Sequence, residues 1–266
     1  MLLLKIDLAA ALAGRVELSS TDLIRVSASY TRALIWQYWA FFGHNAGDAT
    51  IDPMPLQIDM IFGIIILILS IVIHEVAHGV MANYLGDPTA RLQGRLTLNP
   101  LKHIDPVGSL ILPILLIVSH SSFLFGWAKP VPYNPYNLRR GGHFAEALVA
   151  AAGPGTNLLL ALIFGIIIRI LVANGAPAAT VALAFSAVVT NVMLALFNSI
   201  PIPPLDGSKI LDAFLPRALA FQFNRLRSVL EFNPLVGFGI VLVFAIVLGG
   251  PLTDLVLFIA RLFAGI

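Results

Sequence analysis

The chain contains the residue types of a hydrolytic metal site in one short sequence, His74-Glu75-Val76-Ala77-His78. Residues four apart lie on one face of a helix, so both imidazoles can bind one Zn²⁺. The carboxylate of Glu75 can then act as a general base toward water. The motif lies within an apolar stretch, where ionisable side chains are costly and are rarely kept without a role. We therefore favour a metal site over a chance match or a polar helix interface.

A zinc site of this kind needs a third ligand, because a catalytic zinc has three protein ligands and one open position. The candidate is Asp206, which follows Pro201, Pro203 and Pro204 at the end of an apolar run. Prolines this close together end a helix, and irregular backbone at membrane depth must be buried in protein or line a wet cavity. Asp206 can then reach inward to a metal or lie in solvent beyond a helix end. Its spacing alone leaves these two alternatives open.

Another polar group lies inside an apolar run, in the sequence Gly153-Pro154-Gly155-Thr156-Asn157. The glycines allow another helix to approach closely. The amide of Asn157 could hold a substrate backbone or stabilise an oxyanion. The local sequence alone favours the alternative, in which Asn157 makes hydrogen bonds between packed helices.

The remaining histidines are interpreted without a catalytic role. His103 and Asp105 could form a second metal pair, but we favour loop residues that make structural hydrogen bonds. His44, His120 and His143 have no partner at ligand spacing, and lone histidines are usually not metal ligands.

The elements that must position these residues are membrane helices. Of the 266 residues, 58% are apolar and 11% are charged, whereas soluble proteins have about 25% charged residues. With a mean hydropathy of +0.91, these values exclude a soluble globular enzyme and a disordered chain. The net charge of +2 gives no indication of a nucleic-acid partner. The absence of cysteine excludes disulfides, thiol nucleophiles and cysteine-bound metals.

Runs without charged residues mark the candidate spans, at 60–74 and 76–86, 106–128, 147–168, 170–205 and 232–253. Their length and continuous apolarity predict an all-α polytopic membrane protein, a helical bundle with the zinc site inside it. Asn174-Gly175-Ala176-Pro177 is a turn signal, which predicts a hairpin of helices over about 146–172 and 178–200. Gly249-Gly250-Pro251 predicts a second turn, between a span at 235–248 and a short last helix.

The motifs together, in this order, resemble the site-2 protease family of intramembrane zinc metalloproteases. The matching segments are residues 74–78, 153–157 and 198–207, and segments 98–106 and 125–132 are similar to the short bacterial and archaeal branch. The resemblance implies that His74, His78 and Asp206 bind one zinc per chain. It also implies that Glu75 is the base and that Asn157 lies near the scissile bond.

The resemblance also divides the chain. It covers about residues 58–232, which we take as the catalytic membrane core. Residues 1–57 are an N-terminal extension, either interfacial or an extra span, and residues 233–266 are C-terminal membrane helices. The sequence shows no room for a PDZ module, so we do not expect substrate selection by such a module.

The predicted ligand set constrains the path of the chain. Both ligand segments lie toward the C-terminal ends of their spans, so these spans must run parallel and the chain between them must cross the membrane once. The span at 147–168 makes that crossing, and segment 106–128 is then predicted to be re-entrant. Ten basic residues would share one side, whereas the connections 173–177 and 249–253 have none. By the positive-inside rule, the active site of this multi-pass cell-membrane protein should open toward the cytoplasm. The ten are Arg91, Arg95, Lys102, Lys129, Arg139, Arg140, Lys209, Arg217, Arg225 and Arg227.

These observations predict a zinc endopeptidase that cuts peptide bonds in or near transmembrane segments, as in regulated intramembrane proteolysis. Its partners would be the lipid bilayer and a transmembrane protein or peptide substrate, and the sequence gives no prediction of oligomeric state. The alternatives are a membrane zinc protease for soluble or interfacial peptides, a metal transporter and an inactive scaffold. Glu75 disfavours a transporter, which needs no base beside a ligand, and the complete ligand set disfavours a scaffold.

Overall fold

The computed structural model describes residues 53–111, 114–115, 118 and 127–265. Within these ranges the chain forms helices and turns, with no β-strand. Residues 1–52 of the N-terminal extension 1–57 lie outside the described residues, as do His44 and His120, and residues 53–57 form the start of the first described helix. The α-helices are α1 (Pro53–Leu85), α2 (Thr89–Leu92), α3 (Ala145–Ala173), α4 (Ala178–Asn198), α5 (Asp206–Asp212), α6 (Arg217–Phe232) and α7 (Pro234–Ala264).

Four described segments are long and apolar enough to cross a membrane, since about 20 residues suffice. This confirms the predicted all-α polytopic membrane protein. The hairpin is also confirmed, with α3 and α4 ending and starting within one or two residues of the predicted turn. The four segments are Ile61–Leu85, Gly142–Ala173, Ala178–Asn198 and Val247–Ala264.

The order of contacts along the helices gives their directions. On α1, Ser70 contacts Asn157 of α3, and His78, further along α1, contacts Val149, earlier in α3. These two helices are therefore antiparallel. The short connection at 174–177 makes α3 and α4 antiparallel as well. Helices α1 and α4 consequently run parallel, as the predicted ligand set requires.

The C-terminal region differs from the prediction of two helices. Helix α7 is continuous from Pro234 to Ala264 and contains Pro251 in its interior, so the predicted turn at 249–251 is wrong. Proline removes one backbone donor, but a full break would leave several more backbone groups without water partners in an apolar setting. Arg169 of α3 donates hydrogen bonds to the carbonyls of Leu262 and Phe263, which satisfies the end of α7.

The ends of segment 106–128 lie side by side. The N–H of Trp127 donates to the Gly108 carbonyl at 3.2 Å, and the Ser109 hydroxyl donates to the Trp127 carbonyl at 2.8 Å. The N–H of Lys129 donates to the His103 carbonyl at 2.8 Å. The two ends of the segment therefore lie at one end of the bundle, as the re-entrant prediction requires. Most of its middle lies outside the described residues.

His103 and Asp105 lie in the connection after α2, His103 as the last residue of a short 3-10 helix, and both make structural hydrogen bonds, as predicted. His103 Nε2 lies 2.9 Å from the Thr97 carbonyl. Asp105 accepts hydrogen bonds from the N–H groups of Val107 and Gly108, at the start of a short π-helix.

Asp87 holds two loops, segments 88–111 and 127–142, against the end of α1. This residue is fully buried and accepts hydrogen bonds from the Asn134 N–H, the Asn137 amide and the Thr89 hydroxyl. Burial opposes its ionisation, but these hydrogen bonds outweigh burial and hold the pKa of the Asp87 carboxyl below its ordinary value. The N–H groups of residues 139 and 140 also donate to the Leu85 carbonyl. Segments 88–111 and 127–142 therefore lie at the same end of the bundle.

Candidate metal centre

The HExxH sequence lies within the membrane-capable part of α1, and its helical geometry brings the two histidines together. His74 and His78 are one turn apart, with ring centroids separated by 4.7 Å. Both residues are buried, at 6% and 8% exposure. Their Nε2 atoms are 3.1 Å apart. This is the pair of ligands that the sequence predicts.

Asp206 joins this pair from the far side of the proline-rich turn. Helix α4 ends at Asn198, residues 199–205 form turns, and Asp206 is the first residue of α5. A Cβ on Gly207 would overlap the carbonyls of Ser199 and Ile200, so glycine is needed for α5 to fold back onto the end of α4. This close approach places Asp206 Oδ2 3.2 Å from Nε2 of both histidines. Of the two alternatives left open by the spacing, the structure has the inward one.

The three donor atoms have the spacing of zinc ligands. Their separations of 3.1, 3.2 and 3.2 Å form a nearly equilateral triangle. Zinc–ligand bonds of about 2.0–2.1 Å in a tetrahedron put ligand atoms about 3.3 Å apart. These residues are also the group of histidine and acidic side chains in the described chain that could hold a metal. The triangle therefore fits one face of a zinc tetrahedron, with the fourth position open.

Hydrogen bonds on the outer ring nitrogens direct electron lone pairs into this triangle. His78 Nδ1 donates to the Val149 carbonyl at 2.7 Å, because a carbonyl can only accept. A neutral ring with a proton on Nδ1 has its lone pair on Nε2. Asp206 adds a carboxylate oxygen to the same triangle, 3.2 Å from both Nε2 atoms. Facing lone pairs and a carboxylate repel one another unless a cation lies between them.

Helix α3 approaches the ligand triangle closely at Gly153, which has no side chain. A Cβ on Gly153 would lie 2.6 Å from Nε2 of His74 and closer still to Nε2 of His78. Any larger residue would therefore occupy the space beside the ligand atoms. The sequence indicated a close helix approach at this glycine, and the structure shows that the approach is to the metal ligands.

Glu75 is held beside the ligands by a backbone donor. Its Oε2 accepts a hydrogen bond from the Val131 N–H at 2.9 Å. Pro130 and Pro132 flank this donor and have no N–H groups of their own. Arg95, which is buried, fixes the same segment by donating to the carbonyls of residues 129 and 130. Glu75 is thus oriented by the protein and is not one of the three triangle residues.

Asn157 lies behind His74 and is fully buried. Its Oδ1 is 2.6 Å from His74 Nδ1. Its Nδ2 donates to Asn191 Oδ1 at 2.9 Å and approaches the Ser70 carbonyl at 3.5 Å. Both ends of this amide are thus engaged within the protein. Sequence reasoning missed Asn191, although a lone amide inside an apolar span is a signal for such a partner.

A polar cavity lies between the start of α3 and helix α5. Glu146 on its wall forms an ion pair with Arg227 at 3.2 Å. The lining includes His143, Glu146, Lys209, Asp212 and Arg217. The charged groups of this cavity lie at the loop-bearing end of the bundle.

Two histidines one turn apart, a carboxylate from a neighbouring element and a glutamate beside the first histidine are the arrangement expected of a zinc hydrolase in a helical membrane protein. Known proteins agree with this class. The protein described as “Putative zinc metalloprotease YwhC” from Bacillus subtilis is 38% identical over 183 residues, covering 65% of this chain and 78% of its own length. The chain belongs to this zinc metalloprotease family, and zinc is its cofactor.

Other relatives match over a smaller share of their length. “Putative zinc metalloprotease Rip2” from Mycolicibacterium smegmatis is 34% identical over 160 residues, which is 58% of each chain. “Putative zinc metalloprotease Rip3” from Mycobacterium tuberculosis is 26% identical over 58% of this chain and 31% of its own length. No model of a protein family matches the chain, and no solved structure gives a significant match.

Proposed function

We propose that this membrane zinc protease is a site-2-type intramembrane endopeptidase, which hydrolyses peptide bonds in or near transmembrane segments of membrane proteins. The observation that carries the proposal is the depth of the metal ligands. His74 lies eleven residues before the end of the membrane-capable segment Ile61–Leu85, about 16 Å along the helix axis. A peptide bond must reach that depth to be cut, and a transmembrane substrate already lies there.

In the proposed reaction, His74, His78 and Asp206 hold the zinc. When bound there, the zinc would supply a Lewis acid that activates water and the scissile carbonyl. Glu75 accepts the proton of the attacking water and returns it to the leaving amine, so the residue ends the cycle unchanged. The Val131 N–H keeps one oxygen of this carboxylate in a fixed position. Asn157 acts through His74, because its amide is already engaged by protein groups.

The substrate must lose local helical structure before it is cut. In a transmembrane helix each carbonyl is hydrogen-bonded to the N–H four residues later and is closed to attack. Residues of low helix propensity near the scissile bond should therefore promote cleavage. Two single-span substrates that differ only by Leu or Gly at two adjacent positions give a direct comparison, with faster cleavage expected for the glycine form.

The test of this function uses the purified protein with single-span substrates in vesicles and with soluble peptides of the same cleavage sequence. We expect cleavage of the span and little cleavage of the soluble peptide. Glu75→Gln should keep its zinc and lose about 10²–10⁴ in rate. Near-normal turnover by the zinc-loaded variant would remove Glu75 as base. Preferential cleavage of soluble peptides would contradict intramembrane proteolysis.

The proposed cytoplasmic orientation is tested by labelling single cysteines, since the chain has none. Leu101 and Tyr136 are suitable positions, because they are exposed on the two loops. Ala179 is an exposed control at the opposite end of the bundle. An impermeant thiol reagent should label Ala179→Cys in intact cells, and Leu101→Cys and Tyr136→Cys only after permeabilisation. The opposite pattern would reverse the orientation.

A further inference from the structure

Helix α4 contains a buried amide that the proposed reaction does not use. Asn191 has 0% exposure within a membrane-capable segment. Its Nδ2 donates to the Ala187 carbonyl at 2.9 Å, and its Oδ1 accepts from Asn157 Nδ2 at 2.9 Å. A buried amide without partners is costly, but this one has both ends satisfied. One of these partners, Asn157, contacts the metal-centre residue His74.

The direction of this hydrogen-bond chain is set at its far end. The Ala187 carbonyl can only accept, so the NH₂ group of Asn191 faces it and the Asn191 oxygen faces Asn157. That oxygen requires a donor, so Asn157 presents its NH₂ group to Asn191 and its oxygen to His74. An amide oxygen also only accepts, which requires the proton of His74 on Nδ1. The lone pair of His74 is then on Nε2, the atom in the ligand triangle.

We propose that Asn191 is a positioning residue that fixes the tautomer of His74 through Asn157 and so prepares Nε2 to bind zinc. The proposal rests on the zinc centre and is independent of which substrate is cut. Metal-bound histidines commonly donate their second N–H to a carboxylate or carbonyl that fixes the ring. Here the acceptor is the side-chain amide of Asn157, which can rotate and exchange its oxygen for its NH₂ group. The hydrogen bond to Asn191 prevents this rotation.

The two histidine ligands differ in how they are fixed. The Val149 carbonyl that binds His78 cannot exchange donor for acceptor. Asn157 can, because an amide rotated by half a turn would present NH₂ to His74 Nδ1. That ring would then have its proton on Nε2, where it blocks coordination. The Ser70 carbonyl, at 3.5 Å from Asn157 Nδ2, is a weaker second restraint, so loss of Asn191 should weaken the zinc site without abolishing it.

The experiment measures the zinc dissociation constant of the purified full-length protein by competition with a chelator. Asn191→Leu keeps the volume and removes the hydrogen bonds, and it should weaken zinc binding by about 10–100-fold. Asn191→Ser is a second variant in case the leucine form does not fold. Its hydroxyl can satisfy the Ala187 carbonyl within the helix but is too short to reach Asn157.

Rescue at Asn157 distinguishes tautomer control from packing. In the Asn191→Leu background, Asn157→Asp supplies an ionised carboxylate, which only accepts hydrogen bonds and so presents no donor to His74. Zinc affinity should recover by about 10-fold or more over the single leucine variant. Val188→Ala is the packing control, since Val188 is fully buried one turn away on α4. It should lower the melting temperature and leave zinc affinity unchanged. Unchanged affinity in both Asn191 variants, or no recovery with Asn157→Asp, would overturn the proposal.

Discussion

The two ends of the α3–α4 hairpin bury different kinds of side chain. Toward the connection 174–177, the buried residues are apolar and pack with α7. Toward the loops, the same helices bury the amides of Asn157 and Asn191 beside the metal ligands, together with apolar side chains such as Val149 and Ala195. The apolar cluster consists of Ala161, Ile168, Ala184, Phe185, Val188, Val192, Val256, Ala260 and Ala264.

The difference separates stability from function within one pair of helices. Apolar packing has no direction, so the apolar cluster should tolerate exchanges that conserve volume. Buried polar groups need partners at defined positions, so the metal end should tolerate few exchanges of any kind. Stability should therefore depend on volume at one end, and zinc binding on atom positions at the other.

The largest effect should follow loss of a ligand at the metal end. Asp206→Ala leaves two ligands and should weaken zinc binding by more than about 100-fold, with loss of proteolysis. The measurement is metal content at matched protein concentration. Asp212→Ala is the control on the same helix, since Asp212 contacts Asn224 and Arg227 and should leave zinc bound. Normal zinc content in Asp206→Ala would mean that another residue completes the site.

A smaller but still large effect should follow a single added methyl group at the metal end. Gly153→Ala places its Cβ against both ligand nitrogens, so we expect weakened zinc binding in a folded protein. Gly155→Ala is the matched control, because its Cβ would meet nothing within 4 Å. It should raise stability by about 0.5–1 kcal/mol, since alanine favours a helix over glycine. Equal zinc affinity in the two variants would contradict the close approach at Gly153.

At the apolar end, a large deletion should change stability and not zinc affinity. Ile168 is fully buried, and Ile168→Ala should cost about 2–5 kcal/mol through lost packing and the remaining cavity. Ile170, on the same helix, is exposed, and Ile170→Ala should have little effect. Thermal unfolding in detergent and zinc titration give both quantities. A loss of zinc affinity in Ile168→Ala would show that the two ends are not independent.

The smallest effect should be a pH dependence at Asp87, which ties the loops to α1. Because the folded pKa lies below the ordinary value of about 3.9, ionised Asp87 stabilises the fold above that pH, and this stabilisation is lost as the pH falls through the folded pKa. Asp87→Asn lacks this titration. The difference in melting temperature between the zinc-free proteins should therefore shrink from pH 6 to pH 3. A constant difference would contradict the prediction.

The amount that sequence could predict differed between the two ends as well. The apolar end follows from hydropathy, which gave the hairpin to within a few residues. The prediction of a turn at 249–251 was wrong, since a proline in the sequence carries no information on whether the surroundings permit a helix to break. At the metal end, the His74–His78 pair follows from helical period alone. The spacing of Asp206 left its role as a ligand undecided, because a side chain just after the end of a helix can point inward or outward.

Sequence by itself determined the class of molecule, the spans of α1, α3 and α4, and the pair of histidines with their neighbouring glutamate. These depend on local period and composition, which act over a few residues. Only the tertiary structure decided that Gly153 leaves room for the ligands, that Val131 holds Glu75 and that Asn191 reaches His74 through Asn157. Each of these is a contact between helices or loops far apart in the chain. Such contacts depend on how the elements pack, and no local pattern encodes the register of one helix against another.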